Sequence, residues 1–75
     1  MRISDLQLKD VVNTLDGKNI GRIIDIDISE DGVINYFVIE SRKLMKRINI
    51  YGGDITVKMA DIERIGKDVI LVKYQ

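Results

Sequence analysis

Apolar and polar positions alternate along much of this chain, and short turn segments break the alternation into brief runs. The clearest run is Ile24-Asp25-Ile26-Asp27-Ile28, which predicts a strand over Asn19–Ile28 with three isoleucines in the core and two carboxylates in water. The doublet Ile23-Ile24 interrupts that period relative to Ile20 and Arg22, as a β-bulge does where a strand must curl. From Val33 to Glu40 nearly every position is apolar, which predicts a strand covered on both faces. Shorter runs predict strands at Val11–Thr14, Ile48–Tyr51 and Asp54–Lys58, the last followed by Met59, with Ile55, Val57 and Met59 turned inward. A final strand is expected over Val69–Tyr74.

The breaks between these runs have turn chemistry. Asp16-Gly17, Asp31-Gly32 and Gly52-Gly53 carry the glycines that positive-φ hairpin turns demand, and Gly66-Lys67-Asp68 precedes the last strand. Met59, Ile62 and Ile65 recur every third residue, which suits a short 3-10 turn near Asp61–Ile65 plugging one end of a barrel. Ser4-x-x-Gln7 has the spacing of a capping box on one helical turn. The fold class is all-β, a small barrel or sandwich, and residues 1–75 form one domain without a proline or a linker.

Composition tightens this reading. Hydrophobic residues make up 45% of a 75-residue chain, and the β-branched bias among them favours strands. There is no cysteine to form a disulfide and no histidine, so no zinc site is expected. Stability must come from the core, from strand pairing, or from association of copies into a homo-oligomer. Twelve basic residues balance twelve acidic ones, so the whole molecule projects no strong field toward nucleic acid or membrane. No apolar run has the length of a membrane span, and the N-terminus has no secretory pattern, so the expected address is cytoplasmic.

Two segments invite a chemical reading. Asp27-x-Ser29-x-Asp31-Gly32-x-Ile34-Asn35 imitates the first nine positions of a calcium-binding EF-hand loop. Its twelfth position is Val38 rather than glutamate, and no helical pattern flanks it, so a hairpin with an acidic tip is expected and no metal site. The second segment is Arg42-Lys43-Leu44-Met45-Lys46-Arg47, four cations in six residues with an apolar pair between them. A solvated loop is the plain reading, and a partner-binding surface is the functional one. The acidic cluster Asp25, Asp27, Glu30 and Asp31 opposes that run in sign, which allows two copies to pair.

Other chemistry finds little support. The aromatic residues are Tyr36, Phe37, Tyr51 and Tyr74, too sparse for a base-stacking face, and Tyr36 and Phe37 point to opposite sides of one strand. Ser4, Ser29 and Ser41 have neither histidine nor cysteine beside them in composition, and no glycine-rich phosphate loop leads from strand to helix. No catalytic residue and no cofactor are therefore expected.

The order and spacing of these features resemble a known family. Leu6-x-x-Lys9-Asp10-Val11-Val12-Asn13, then Asp16-Gly17-x-x-Ile20-Gly21-x-Ile23-x-Asp25, is similar to the first half of a PRC-barrel domain. Asp61-Ile62-x-x-Ile65-Gly66-x-Asp68-Val69-Ile70-Leu71-Val72 resembles its close. The nearest branch is the short, single-domain sporulation proteins of Gram-positive spore formers. The resemblance implies a partly open barrel of about six strands that serves as a docking surface without a catalytic site. Lys58-Met59-Ala60 departs from the proline and aromatic that relatives often carry there, with methionine expected to fill the apolar gap. The expected function is that of a non-enzymatic adaptor contacting a protein partner. The alternative is an RNA- or ribosome-associated module using residues 42–47.

Overall fold

The computed structural model describes residues 1–41 and 54–74. A short helix α1 (Ile3–Gln7) leads into β1 (Asp10–Asn13), β2 (Asn19–Ile28) and β3 (Ile34–Glu40). Then come β4 (Asp54–Lys58), a 3-10 turn (Met59–Asp61), β5 (Ile62–Ile65) and β6 (Val69–Val72). The predicted strand Ile48–Tyr51, the turn Gly52-Gly53 and the basic run 42–47 lie outside the described residues.

Among the described residues, six strands form one sheet in the order β4-β3-β2-β1-β6-β5, with β1 and β6 parallel and every other neighbouring pair antiparallel. Connectivity forces that sheet to curl. Its first and last strands, β4 and β5, are joined by the three residues Met59–Asp61. Four Cα–Cα steps of about 3.8 Å reach at most roughly 15 Å. A flat sheet would hold strands five gaps apart, at about 4.8 Å each, roughly 24 Å from one another. The edges therefore approach at one end without pairing, which makes the sheet a partly open barrel.

The core lies inside the curl. Val11, Ile23, Phe37, Ile39, Val57, Ile70 and Val72 are buried, with Leu6, Ile20, Ile26, Ile34, Ile55, Ile62 and Tyr74 packed against them. The register explains which isoleucines of β2 take part. Ile23 faces Ile39 and Asp25 faces Val38, so Ile24 is an extra residue in a bulge. The alternation expected to bury Ile24, Ile26 and Ile28 thus fails at its first member and again at its last. Ile23 is the buried residue, Ile24 is 43% exposed and Ile28 is 53% exposed, while Ile26 packs on the core opposite Phe37. A second irregularity between Asp27 and Ile28, near the hairpin end, takes Ile28 out of the packed region.

Several local expectations shift in a similar way. β3 buries Phe37 and Ile39 on one face, but Tyr36 and Val38 on the other are only half-buried. Val33, expected to start that strand, is exposed and precedes it. The 3-10 turn comes two residues early, and Ile62–Ile65 is extended because its backbone pairs with β6. Met59 sits in that turn, exposed, and does not fill an apolar gap. Leu71 and Val72 end the last strand, leaving Lys73 and Tyr74 beyond it. At the N-terminus the cap is Arg2, whose backbone N–H donates to the Asp5 carboxylate at 2.8 Å, while Ser4 lies within the helix.

One glycine is required by close approach. Gly21 has φ +135°, and a Cβ there would lie 1.9 Å from the Glu40 carbonyl oxygen. β3 can cross β2 this tightly because nothing projects from that position.

Candidate interaction surface

The structure places the acidic segment in a tight hairpin between β2 and β3. The Ser29 N–H donates to the Val33 carbonyl at 2.9 Å, and the Gly32 N–H donates to the Ser29 carbonyl at 2.9 Å. Gly32 has φ +88°, the left-handed residue that closes a three-residue hairpin loop. The would-be calcium ligands are spent on one another in pairs. Asn35 Nδ2 donates to Asp27 Oδ2 at 2.8 Å across the strands, and the Ser29 hydroxyl donates to Asp31 Oδ1 within the loop. That hydroxyl holds the Asp31 carboxyl below its usual range, because the hydrogen bond favours the charged form. Among the described residues, no three acidic side chains gather as a group able to hold a metal ion.

Residues Arg42, Lys43, Leu44, Met45, Lys46 and Arg47 lie outside the described residues. Glu40 and Asp54 are the last pair of the β3–β4 ladder, so the basic run leaves from that end. The acidic hairpin caps the opposite end of β3. Seven residues of strand put those two ends about 20 Å apart.

Between them lies the outer face of β2, β3 and β4. Directly opposed residues on antiparallel strands share a face. Asp27, Tyr36 and Lys58 therefore form one row across the three strands, and Asp25, Val38 and Thr56 form the next. A third row runs Asp10, Arg22, Glu40, Asp54 across β1 to β4. Arg22 Nε reaches Asp10 Oδ1 at 3.3 Å, an exposed ion pair of small energetic weight. Glu40 and Asp54 are then directly opposed like charges. The face as a whole has a half-buried apolar centre, Tyr36 and Val38, with an acidic rim. Periodicity reasoning missed it because a strand apolar at nearly every position read as buried on both sides.

The free side of β5 is a second surface that sequence alone did not reveal. β5 ends the strand order, so among the described residues one side of its backbone has no neighbouring strand. Ile65 at its end is 39% exposed although it faces the core residue Ile70 across the pair. Elsewhere an open depression between α1 and the β5–β6 turn is lined by Met1, Asp5, Leu8, Lys9, Lys67 and Asp68. No helix among the described residues is long and apolar enough to cross a membrane.

Among the described residues, a curled six-stranded sheet with a parallel β1–β6 pair, joined at its edges by a 3-10 turn, defines a small, partly open β-barrel. The chain belongs to the PRC-barrel domain family, which matches residues 1–75. It is also similar to a Bacillus subtilis (strain 168) protein named Probable sporulation protein YlmC. The two are 38% identical over 74 residues, covering 95% of this chain and 89% of that protein. The resemblance seen in the turn glycines and core aliphatics is thereby confirmed.

Proposed function

We propose that this domain is a non-enzymatic adaptor that acts in sporulation by contacting a partner protein. The observation that carries the reading is the sheet that curls without closing. Among the described residues no strand pairs with the outer side of β5, whose backbone donors and acceptors stand beside the exposed edge of Ile65. Such an edge accepts an added strand, whose main-chain hydrogen bonds supply affinity while side-chain pockets supply selectivity. The name of the Bacillus relative supports the setting. The lack of histidine and cysteine supports a binding role over catalysis, since the serines have neither as a base.

The test is affinity capture from sporulating and from growing cells of a Gram-positive spore former, with bound proteins identified by mass spectrometry. A partner recovered by the native chain and lost with Ile65→Lys is the expected result. A salt-dependent shift of total RNA, with no protein lost on that substitution, would instead favour the RNA-associated reading through residues 42–47.

A further inference from the structure

The four residues of β5 read Ile-Glu-Arg-Ile, an order whose two charges exchange places when it is read backwards. Its pairing with β6 is irregular. Ile62 lies opposite Val72 and Arg64 opposite Leu71, which leaves Glu63 as an extra residue, the mark of a bulge. Opposed residues share a side of the sheet. Ile62 opposes the buried Val72 and Ile65 the buried Ile70, so both isoleucines turn toward the core although they are three positions apart. Glu63 and Arg64 are exposed side by side on the outer face. Among the described residues Arg64 has no ion-pair partner, and Glu63 reaches only Lys73, at 3.9 Å and in solvent.

That facing decides what the free edge can accept. A regular strand alternates in-out-in-out, so it cannot pair with its own copy about a point midway between its two central residues, because inward side chains would meet outward ones. The bulged order in-out-out-in can. We propose that the outer edge of β5 pairs antiparallel with β5 of a second copy, about a two-fold axis passing between Glu63 and Arg64. Glu63 then lies opposite Arg64 of the second copy on the outer face, and Ile62 opposite its Ile65 on the core side. The symmetry repeats both pairs, so two opposite-charge contacts and two apolar contacts form at once and the assembly closes as a dimer. The partly exposed Ile65 is covered, and the unpaired backbone of the edge finds partners. Four residues a side cover far less than the roughly 1,200–2,000 Å² of a standard stable interface, so the dimer is weak and forms only as concentration rises. One consequence rests on the adaptor reading: a partner's strand would add to this same edge, so self-pairing and partner binding exclude one another.

The experiment is a charge swap followed by sedimentation velocity over a range of concentrations. The native chain should move from 8.6 kDa toward twice that mass as its concentration approaches the millimolar range, and less readily as salt rises. Glu63→Arg alone sets cation against cation in both symmetric pairs, and Arg64→Glu alone sets carboxylate against carboxylate. Each should weaken self-association by about tenfold or more. An equimolar mixture of the two single variants should associate again, and so should the chain carrying both substitutions, because each arrangement restores opposite charges at both positions. If a thermal melt shows that a reversal disturbs folding, Glu63→Gln and Arg64→Gln serve instead, each weakening association by a smaller factor. A native chain that stays monomeric at the highest concentration overturns the proposal. So does a dimer that the single variants leave unchanged, or one that the double swap fails to restore. None of these measurements involves a partner protein, and partner capture with Ile65→Lys is read separately, so either reading can fail alone.

Discussion

The two hairpin turns that carry Asp-Gly look like twins and are held in opposite ways. Gly17 and Gly32 both have positive φ, 71° and 88°, and an added Cβ would meet nothing within 4 Å at either. At the β2–β3 tip the bonds are local, joining Ser29, Asp31, Gly32 and Val33, with Asn35 and Asp27 behind them. At the β1–β2 turn the anchor is Asn13, 5% exposed and bonded both across its own turn and to the far end of the chain. Its Oδ1 accepts from the N–H groups of Leu15 and Tyr74, each at 3.1 Å, and its Nδ2 donates to the Tyr74 carbonyl at 2.7 Å. Thr14 adds its N–H to the Val72 carbonyl at 2.8 Å. Turn residues alone set the direction of the chain; a buried amide decides whether the turn holds the barrel together.

The largest effect is expected beside the anchored turn. Gly21→Ala drives a methyl into the Glu40 carbonyl and must separate β2 from β3, at a cost of about 3 kcal/mol or more. A urea melt should show a chain largely unfolded before denaturant is added, given the marginal stability of so small a domain. An unchanged midpoint would refute the close approach. Next, Asn13→Ala strips partners from two N–H groups and one carbonyl, and should lower stability by about 2 kcal/mol. If it costs no more than a substitution at the tip, the contrast between the two turns collapses. The smallest effect belongs to Ser29→Ala, which should change stability by less than about 0.5 kcal/mol. Its signature is electrostatic, since without the hydroxyl the Asp31 carboxyl should titrate closer to its usual range by NMR. A carboxyl held low in the folded state adds stability above its unfolded value and loses it as pH falls through the folded value. Full exposure of Asp31 keeps that contribution slight.

Much of the architecture was legible because turn chemistry is local. β2 runs from Asn19 to Ile28 as its alternation predicts, and both Asp-Gly pairs form turns. Facing was harder, because one bulged residue reverses every later side chain: the doublet Ile23-Ile24 announced the bulge without saying which isoleucine it would expel. Ile62–Ile65 read as a 3-10 turn because a four-residue edge strand has too few positions to display period two. The bonds of Asn13 to Tyr74 and the parallel β1–β6 pair join residues about as far apart as the chain allows, and no local pattern encodes such partners. The acidic face of β2–β4 needed the register, since its rim comes from three separate strands.

The parallel pairing of β1 with β6 has a temporal consequence. Asp10 must wait for Val69 and Asn13 for Val72, so β1 gains its second neighbour only after β6 has been made. At about 5–20 residues per second, the 58 positions between Asp10 and Val69 take roughly 3–12 s to synthesise, whereas a hairpin such as β2–β3 forms in about 1–10 µs. The nascent chain therefore spends seconds as a growing meander whose first strand is an open edge. β6 acts as a latch, because its pairing with β1 is what covers that edge. A chain lacking β6 would leave that edge of β1 available for pairing with other chains, which makes β6 a safeguard against aggregation.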